Sequence, residues 1–223
     1  MSDGARDYIT TITGVREVVL VGTAELAYWR EQLCRERLAP FDNNGRAELQ
    51  LAAIDSKFRG IPFRELSISV LVSEDGGATV GGAYLIHAYN SSRLLALAER
   101  VFFQTPYHLA HLTVEERIPA RIEVVRGGRA QFAARMGSER PPARREDVLF
   151  DGPIYLPGGA NVFYARLSGA ADVYPFETTD VATTAADSTE PVFERLLASG
   201  FAGTEWLVRP VAAHARTKTY ARS

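Results

Sequence analysis

Alternating apolar and polar residues predict strands through much of the first half of the chain. The β-branched run at 16–21 predicts a first strand, and the stretches at 46–54 and 62–72 alternate as half-buried strands do. The residues SEDGG at 73–77 favour a hairpin turn because glycine tolerates positive φ, and a returning strand is expected over 78–89. This half is therefore predicted to be mainly strand.

The second half continues the strand pattern. The segment 121–135 predicts a hairpin whose turn is the glycine pair at 127 and 128. Further strands are expected over 161–176 and 208–222, whereas the charged, proline-containing stretch 138–147 predicts an exposed loop.

Helical spacing of apolar residues predicts three helices, over 24–38, 91–104 and 190–201. Thr23 is the expected N-cap of the first, and Asn90 or Ser91 that of the second. Pro106 forces the chain out of helical geometry after the second helix, and Pro191 fits the first turn of the third. Many strands with three helices in no regular βαβ order indicate an α+β protein built on an antiparallel sheet or barrel.

Composition narrows the class of partner. The chain has 223 residues, 46% hydrophobic and 23% charged, which is typical of a globular protein, and one domain spanning 1–223 is expected. A net charge of −2 gives no basic footprint for nucleic acid or an anionic membrane, so a small molecule is the expected partner. Cys34, the single cysteine, excludes an internal disulfide, and the first fourteen residues lack a signal-peptide pattern; we expect a cytoplasmic protein.

Neither a metal nor an organic cofactor is expected. His108 and His111 lie three residues apart on a predicted strand, without the i, i+4 spacing of a helical metal site. The glycine pairs at 81–82 and 158–159 fit turns, and no nucleotide-binding or G-x-S-x-G motif occurs.

Ordered blocks of the sequence resemble the acetoacetate decarboxylase family. The blocks are REVVLV, AELQ, FRELSISV and YLIHAYNSSRLLALAERVFFQTPYHLAHL. Within them, the matching positions are Arg16, Glu17, Glu48, Glu65, Arg100 and Pro106. The late helix and the terminal strand also fit the family's order, so the resemblance covers nearly the whole chain. It implies a closed, cone-like antiparallel β-barrel with peripheral helices and a buried pocket, in a homo-oligomer.

The resemblance also exposes a chemical difference. In the family a lysine after the proline forms a Schiff base with a keto acid, and its matching position here is Tyr107, followed by His108 where a second lysine is common. A phenol cannot form an imine, so the family's mechanism is not expected. Lys57 and Lys218 are the chain's two lysines, and both are expected to be solvated.

The residues after Pro106 are the candidates for the chemistry. If the strand is regular, His111 shares the face of Tyr107 and His108 points away; each histidine could equally be bonded to backbone. Tyr107 could donate a hydrogen bond to a substrate carbonyl or enolate, act as a general acid, or simply pack at a barrel rim.

Three charged residues complete the predicted site. Glu65 would line a pocket and have a raised pKa if its strand's polar face is enclosed, and Glu48 has the same two readings; outside a barrel both are surface charges. Arg16 suits the role of a clamp for a substrate carboxylate, with a salt bridge as the alternative.

The leading hypothesis is an enzyme that performs acid–base catalysis without an imine on an enolisable carbonyl compound or keto acid. The reaction would be a cyclisation, dehydration, isomerisation or decarboxylation in a biosynthetic pathway, with an oxyanion donor stabilising the enolate. The alternatives are a barrel that binds a small ligand without turnover, and a decarboxylase that recruits another lysine.

Overall fold

The computed structural model describes residues 6–73, 77 and 79–222, and this part of the chain is mostly sheet. The strands of the first half are β1 (Thr10–Glu25), β2 (Ala39–Pro40), β3 (Asp42–Asn43), β4 (Arg46–Phe58), β5 (Ile61–Ser73), β6 (Gly82–Asn90), β7 (Tyr107–Leu109) and β8 (His111–Glu115). Those of the second half are β9 (Arg121–Arg126), β10 (Arg129–Arg135), β11 (Arg144–Tyr155), β12 (Asn161–Pro175), β13 (Val181–Thr184), β14 (Ala202–Arg216) and β15 (Tyr220–Ala221). The helices among the described residues are α1 (Leu26–Cys34), α2 (Arg93–Phe103) and α3 (Pro191–Ala198).

Eleven of these strands form one sheet, and the pairings within it make a ring. The order β5-β4-β1-β14-β12-β11-β6 is completed by a pairing between β5 and β6. The neighbours are antiparallel except at β6, which pairs in parallel with β11 and with β7. A second sheet has the order β13-β10-β9-β8. The α+β class and the largely antiparallel sheet are thus confirmed.

Both faces are buried along much of β1 and β6 and at the end of β5, whereas the first half of β11 is exposed. One face carries Leu20, Leu51 and Ile68, which pack in a large apolar core together with buried aromatic residues such as Trp206 and Phe193. Because strand residues alternate, the residues between them point to the opposite face, which we call the inner face of the ring. The inner face has smaller apolar clusters and, as described below, a group of charged residues.

The sequence patterns predicted the positions of the strands and helices more accurately than the residues at which they begin and end. The hairpin at 121–135 is confirmed, and its two turn glycines have φ of 58° and 75°. The helix expected from residue 24 begins at Leu26 with Glu25 as N-cap instead of Thr23, because β1 stays paired with β4 through Glu25. Pairing of the chain with a distant strand has here overridden local helix signals.

The loop expected over 138–147 is wrong at its end. Residues from Arg144 onward form β11, whose first residues pair with β12 from Val173 backward. Charge on this segment suits an exposed strand, since Arg144 forms a two-pronged ion pair with Glu205 at 2.9 Å. Residues 74–76 and 78 of the expected SEDGG hairpin lie outside the described residues; β5 and β6 on either side of it do pair antiparallel.

The longest helix among the described residues has eleven residues, and none there is long and apolar enough to cross a membrane.

A buried carboxylate connects several separate segments of the second half of the chain through hydrogen bonds. Asp180 accepts hydrogen bonds from the Arg140 guanidinium at 2.6 Å and from Trp206 Nε1 at 3.1 Å. It also accepts two backbone N–H groups, at Gly137 and Glu177. Burial raises the pKa of Asp180, but these four donors outweigh it and hold the pKa below its usual range.

Replacing Asp180 with alanine is expected to destabilise the fold by about 3–5 kcal/mol, because Arg140, whose side chain is only 10% exposed, would lose its buried counterion and keep only the more distant, exposed Glu177. Urea unfolding measures the change. Asp172→Ala, which breaks a more exposed ion pair to Arg145, is the control and should cost less than about 1 kcal/mol. Equal losses in the two variants would contradict the structural role of Asp180.

Candidate active site

Local chain geometry delivers Tyr107 to the inner face. Helix α2 ends at Gln104, whose left-handed φ of 56° turns the chain away from the helix axis. Buried Thr105 then donates its hydroxyl to Glu99 Oε2 at 2.8 Å, which anchors the turn to the helix. After Pro106, strand β7 pairs in parallel with β6, so that Tyr107 lies opposite Ala88.

Tyr107 and Glu65 form the centre of the site. The buried Tyr107 hydroxyl donates a short hydrogen bond to Glu65 Oε1, and Asn90 Nδ2 donates to Glu65 Oε2 at 3.3 Å. Three strands contribute, since Glu65 is on β5, Asn90 on β6 and Tyr107 on β7. The prediction that Glu65 points into an enclosed face together with Tyr107 agrees with this geometry.

The environment of Glu65 favours its neutral form. Burial raises its pKa to about 7, and the nearby negative charge of Glu99 adds to the rise. The hydrogen bond from Tyr107, together with the electrostatic effects of His214 and Arg216, opposes the rise only in part. Burial, together with the charge of Glu65, also raises the pKa of Tyr107 well above its usual value, so the phenol stays protonated.

Arg216 lies beside this pair on the last long strand. Its Nη1 donates to Glu99 Oε2 at 2.6 Å, while its guanidinium lies over the rings of Phe103 and Phe163 at 4.5 and 4.2 Å. Arg216 Nη2 is buried and has no hydrogen-bond partner among the described residues. The guanidinium is therefore held in place and keeps donor capacity free.

A second charged group lies on the same face. Glu17 is fully buried and forms an ion pair with Arg209, and His214 Nε2 lies 3.5 Å from Glu17 Oε2. Burial raises the pKa of Glu17, but the adjoining His214 and Arg209 outweigh it and lower the pKa below the usual value. His214 also lowers the pKa of Glu65, so the two charged groups of the inner face influence each other.

Comparison with solved structures identifies the architecture. Acetoacetate decarboxylase from Legionella pneumophila superposes with a TM-score of 0.63 at 10% identity, covering 99% of this chain and 90% of that one. An acetoacetate decarboxylase-like enzyme from Sphingomonas wittichii gives 0.58 at 11% identity and covers 99% of both chains. The chain has the acetoacetate decarboxylase-like fold. The resemblance seen in the ordered sequence blocks is thus confirmed at the level of the fold.

A third structure with this fold is the enduracididine biosynthesis enzyme MppR, complexed with the condensation product of pyruvate and imidazole 4-carboxaldehyde. It matches with a TM-score of 0.62 at 13% identity, covering 99% of this chain and 92% of that one. A scan of protein-family models and a search of curated proteins found no match.

The prediction that His111 shares the face of Tyr107 is wrong. Regular extension stops at Ala110, whose N–H donates to the Asn90 carbonyl, and His111 begins β8 in the second sheet. Its side chain is exposed. His108 does point away from Tyr107, as alternation predicted, and its ring stacks on that of His87 at 4.6 Å on the other side of the sheet.

Arg16 does not face the Glu65–Tyr107 pair. It is 48% exposed and bonds to Asp55 at 3.1 Å and Glu116 at 3.3 Å, which is the salt-bridge alternative. The neighbouring Glu17 faces inward instead, since successive strand residues alternate. Arg209 and Arg216 lie on the inner face instead.

Glu48 lies on the inner face but far from the pair. Its Oε2 accepts a hydrogen bond from Asn43 at 3.0 Å, and burial together with the charge of Glu205 raises its pKa. In the register of β4, the residue level with Glu65 is Ile54, six residues from Glu48. That separation is about 20 Å along the strand, so Glu48 belongs to the opposite end of the inner face.

Sequence reasoning missed His214, Arg216, Arg209 and Glu99. For His214 and Arg216 the sequence does contain one indication, because they lie two residues apart on a predicted strand and therefore share a face. Their proximity to Glu65 depends on the pairing of β14 with β1, which local pattern does not indicate.

The stability of the fold should depend on pH through Glu65. Its pKa is higher folded than unfolded, so its contribution is largest below about pH 4.5 and is lost as pH rises towards about 7. The glutamine of the Glu65→Gln variant cannot titrate. The difference in free energy of unfolding between the wild type and this variant should therefore decrease over that pH range, by up to about 3 kcal/mol. Urea unfolding at pH 4.5–8 measures it.

Glu31→Gln, at an exposed position of α1, is the matched control and should follow the wild type at every pH. A Glu65→Gln profile parallel to the wild type would show that Glu65 ionises normally.

Proposed function

We propose that the chain is a small-molecule enzyme that uses acid–base catalysis, without an imine, on an enolisable carbonyl compound or keto acid. The observation that carries the proposal is the Glu65–Tyr107 pair, a carboxylate with a pKa of about 7 bonded to a phenol that stays protonated. A base whose pKa lies near neutrality suits proton transfer at neutral pH. Solved structures with this fold include enzymes that act on small carbonyl compounds, which also supports a small-molecule enzyme.

Each group of the pair has a definite part in the reaction. The Glu65 carboxylate removes a proton from the carbon next to the substrate carbonyl, and the electron pair moves onto the carbonyl oxygen as an enolate. The Tyr107 hydroxyl turns from Glu65 to that oxygen and stabilises the charge by donating a hydrogen bond. Return of the proton from Glu65 to the same or another atom completes an isomerisation or a dehydration, and attack of the enolate on a second carbonyl gives a cyclisation. In a decarboxylation the enolate forms instead when CO2 leaves a β-keto acid; the Tyr107 hydroxyl stabilises it in the same way, and protonated Glu65 then delivers a proton to the carbon.

Arg216 is the proposed binding group for a substrate carboxylate. Its guanidinium is held over two aromatic rings, and its buried Nη2 is free to donate a hydrogen bond. It also lies close enough to Glu65 to lower the pKa of that carboxyl, so it is well placed to bind a carboxylate beside the Glu65–Tyr107 pair. This role replaces the one that the sequence assigned to Arg16. We further propose that His214, whose Nε2 lies 3.5 Å from Glu17 Oε2, carries a proton to or from the site.

A recruited lysine is not needed for this chemistry. Lys57 and Lys218 are both exposed, as expected, and Lys218 lies over the ring of Tyr220. Neither position excludes water from the amine, which is what lowers a lysine pKa for imine formation. Borohydride treatment in the presence of pyruvate is therefore expected to leave the mass of the protein unchanged.

We also propose that the ring of paired strands closes as a cone-like barrel around the inner face, within one domain and in a homo-oligomer. The pairings of β6 with both β5 and β11 support the closure. Enclosure is what would keep water from Glu65 during proton transfer.

Exchange of the pyruvate methyl hydrogens in deuterium oxide tests enolisation directly. We expect wild-type protein to accelerate the exchange, Glu65→Gln to lose about 100-fold or more, and Tyr107→Phe to lose about 10- to 1000-fold. The wild-type rate should rise with pH through about 7, because the base is the ionised form of Glu65. Proton NMR follows the loss of signal, with Glu31→Gln as control.

If calorimetry shows that pyruvate binds but its methyl hydrogens do not exchange, the alternative of a ligand-binding barrel is favoured instead. Exchange that survives Glu65→Gln would assign the base to another residue.

The two arginines provide a paired test of carboxylate binding. Arg216→Gln should raise the KM for pyruvate exchange about tenfold or more, since it removes a charge-assisted hydrogen bond, whereas Arg16→Gln should leave KM unchanged. If Arg16→Gln raised KM and Arg216→Gln did not, Arg16 would be the residue that binds the substrate carboxylate.

A further inference from the structure

A cleft separate from the inner face lies between α2 and the β9–β10 hairpin. Its volume is about 500 Å³. The residues on which its chemistry depends are Arg93, Leu97, Arg100, His108, Leu109 and Arg126. Because Arg93, Leu97 and Arg100 are spaced by four and three residues, they form one stripe along α2.

The cleft carries more positive than negative charge. Arg126 is paired with Glu190 at 2.6 Å, a buried carboxylate that also accepts the Tyr89 hydroxyl at 2.9 Å. Arg93 and Arg100 are exposed and form no ion pair or hydrogen bond with the described residues. Two guanidinium groups are therefore uncompensated, although the chain as a whole has a net charge of −2.

His108 adds a titratable group to the cleft. Burial lowers its pKa, and the positive charges of Arg126 and Arg100 lower it further, while Glu190 opposes them. Its ring stacks on His87, whose own pKa is lowered to about 4 by burial and by His108. His87 Nε2 is buried without a hydrogen-bond partner among the described residues. A bound anion would offset the part of this lowering that comes from Arg126 and Arg100.

Apolar side chains occupy the rest of the cleft. Leu97 and Leu109 are 49% and 47% exposed, and Ala96 below them is buried. A strongly hydrated inorganic anion would leave these surfaces in contact with water, whereas a ligand with a hydrocarbon part would cover them.

We propose that this cleft binds an amphipathic anion, in which Arg93 and Arg100 contact the charged head group and Leu97 and Leu109 contact a hydrocarbon chain. Guanidinium forks suit carboxylate and phosphate oxygens equally well. The cleft shares no residue with the Glu65 site, so this proposal does not depend on the proposed enzymatic reaction.

Calorimetric titration of the full chain with octanoate and with octyl phosphate tests the site and distinguishes the two head groups. We expect at least one to bind, more tightly than inorganic phosphate by about tenfold or more because phosphate lacks the chain. Binding should weaken as salt is added. Failure of both amphiphiles to bind at millimolar concentration would overturn the proposal, as would phosphate binding equally well.

A double variant locates the binding. Arg93→Gln with Arg100→Gln should weaken it about tenfold or more, because two charge-assisted contacts are lost. Arg117→Gln with Arg135→Gln removes the same charge at two exposed positions outside the cleft and should change nothing. Binding that survives the first pair and is lost in Arg216→Gln would place the anion at the inner face and overturn the proposal.

The imidazole signals of His108 and His111 give a readout independent of affinity. The bound anion should raise the pKa of His108 by offsetting the charges of Arg100 and Arg126, while exposed His111 serves as reference. NMR titration in the presence of the bound amphiphile measures both. Equal shifts of the two histidines, or none, would contradict binding in the cleft.

Discussion

Burial of both faces of strands such as β1 and β6 is the constraint on which the rest of the structure depends. The outer face can be filled with apolar side chains alone, whereas the inner face also carries charged groups that water cannot fully solvate. Their charges must be neutralised by one another, as the ion pairs of Glu17 with Arg209 and of Glu99 with Arg216 show. Glu65 has a phenol and an amide as partners instead, and its pKa moves to about 7. The reactive character of the site comes from that difference in partners.

The features that could be predicted from the sequence are those set by local pattern. Alternation located most of the long strands but not β11, whose start was expected to be a loop. The family resemblance connected Glu65 with Tyr107. Local pattern failed where one residue decides a face: Arg16 and Glu17 are adjacent on β1, and only the pairing of that strand determines which points inward. His111 was misplaced because the chain leaves one sheet for the other at Ala110, a step that alternation does not reveal.

Helix α2 links the two regions that carry the chemistry. Glu99 holds Arg216 and Thr105 on the side of the inner face, while the next residue, Arg100, lies in the outer cleft. The parallel pairing of β6 with β7 requires such a crossover, because two neighbouring parallel strands cannot be joined by a tight turn. The turn that ends this crossover brings Tyr107 to Glu65.

The pairing of β1 with β14 also has a consequence for how the protein is made. Thr10 pairs with Arg216 and Glu17 with Arg209, so the inner charged residues come from opposite ends of the described chain. Contacts of such long sequence separation close a large loop, which costs chain entropy and slows folding. During synthesis, β1 leaves the ribosome well before β14 exists to pair with it. Glu17 therefore lacks its counterion Arg209 until β14 has been synthesised, and the proposed catalytic pocket can form only after β14 has left the ribosome.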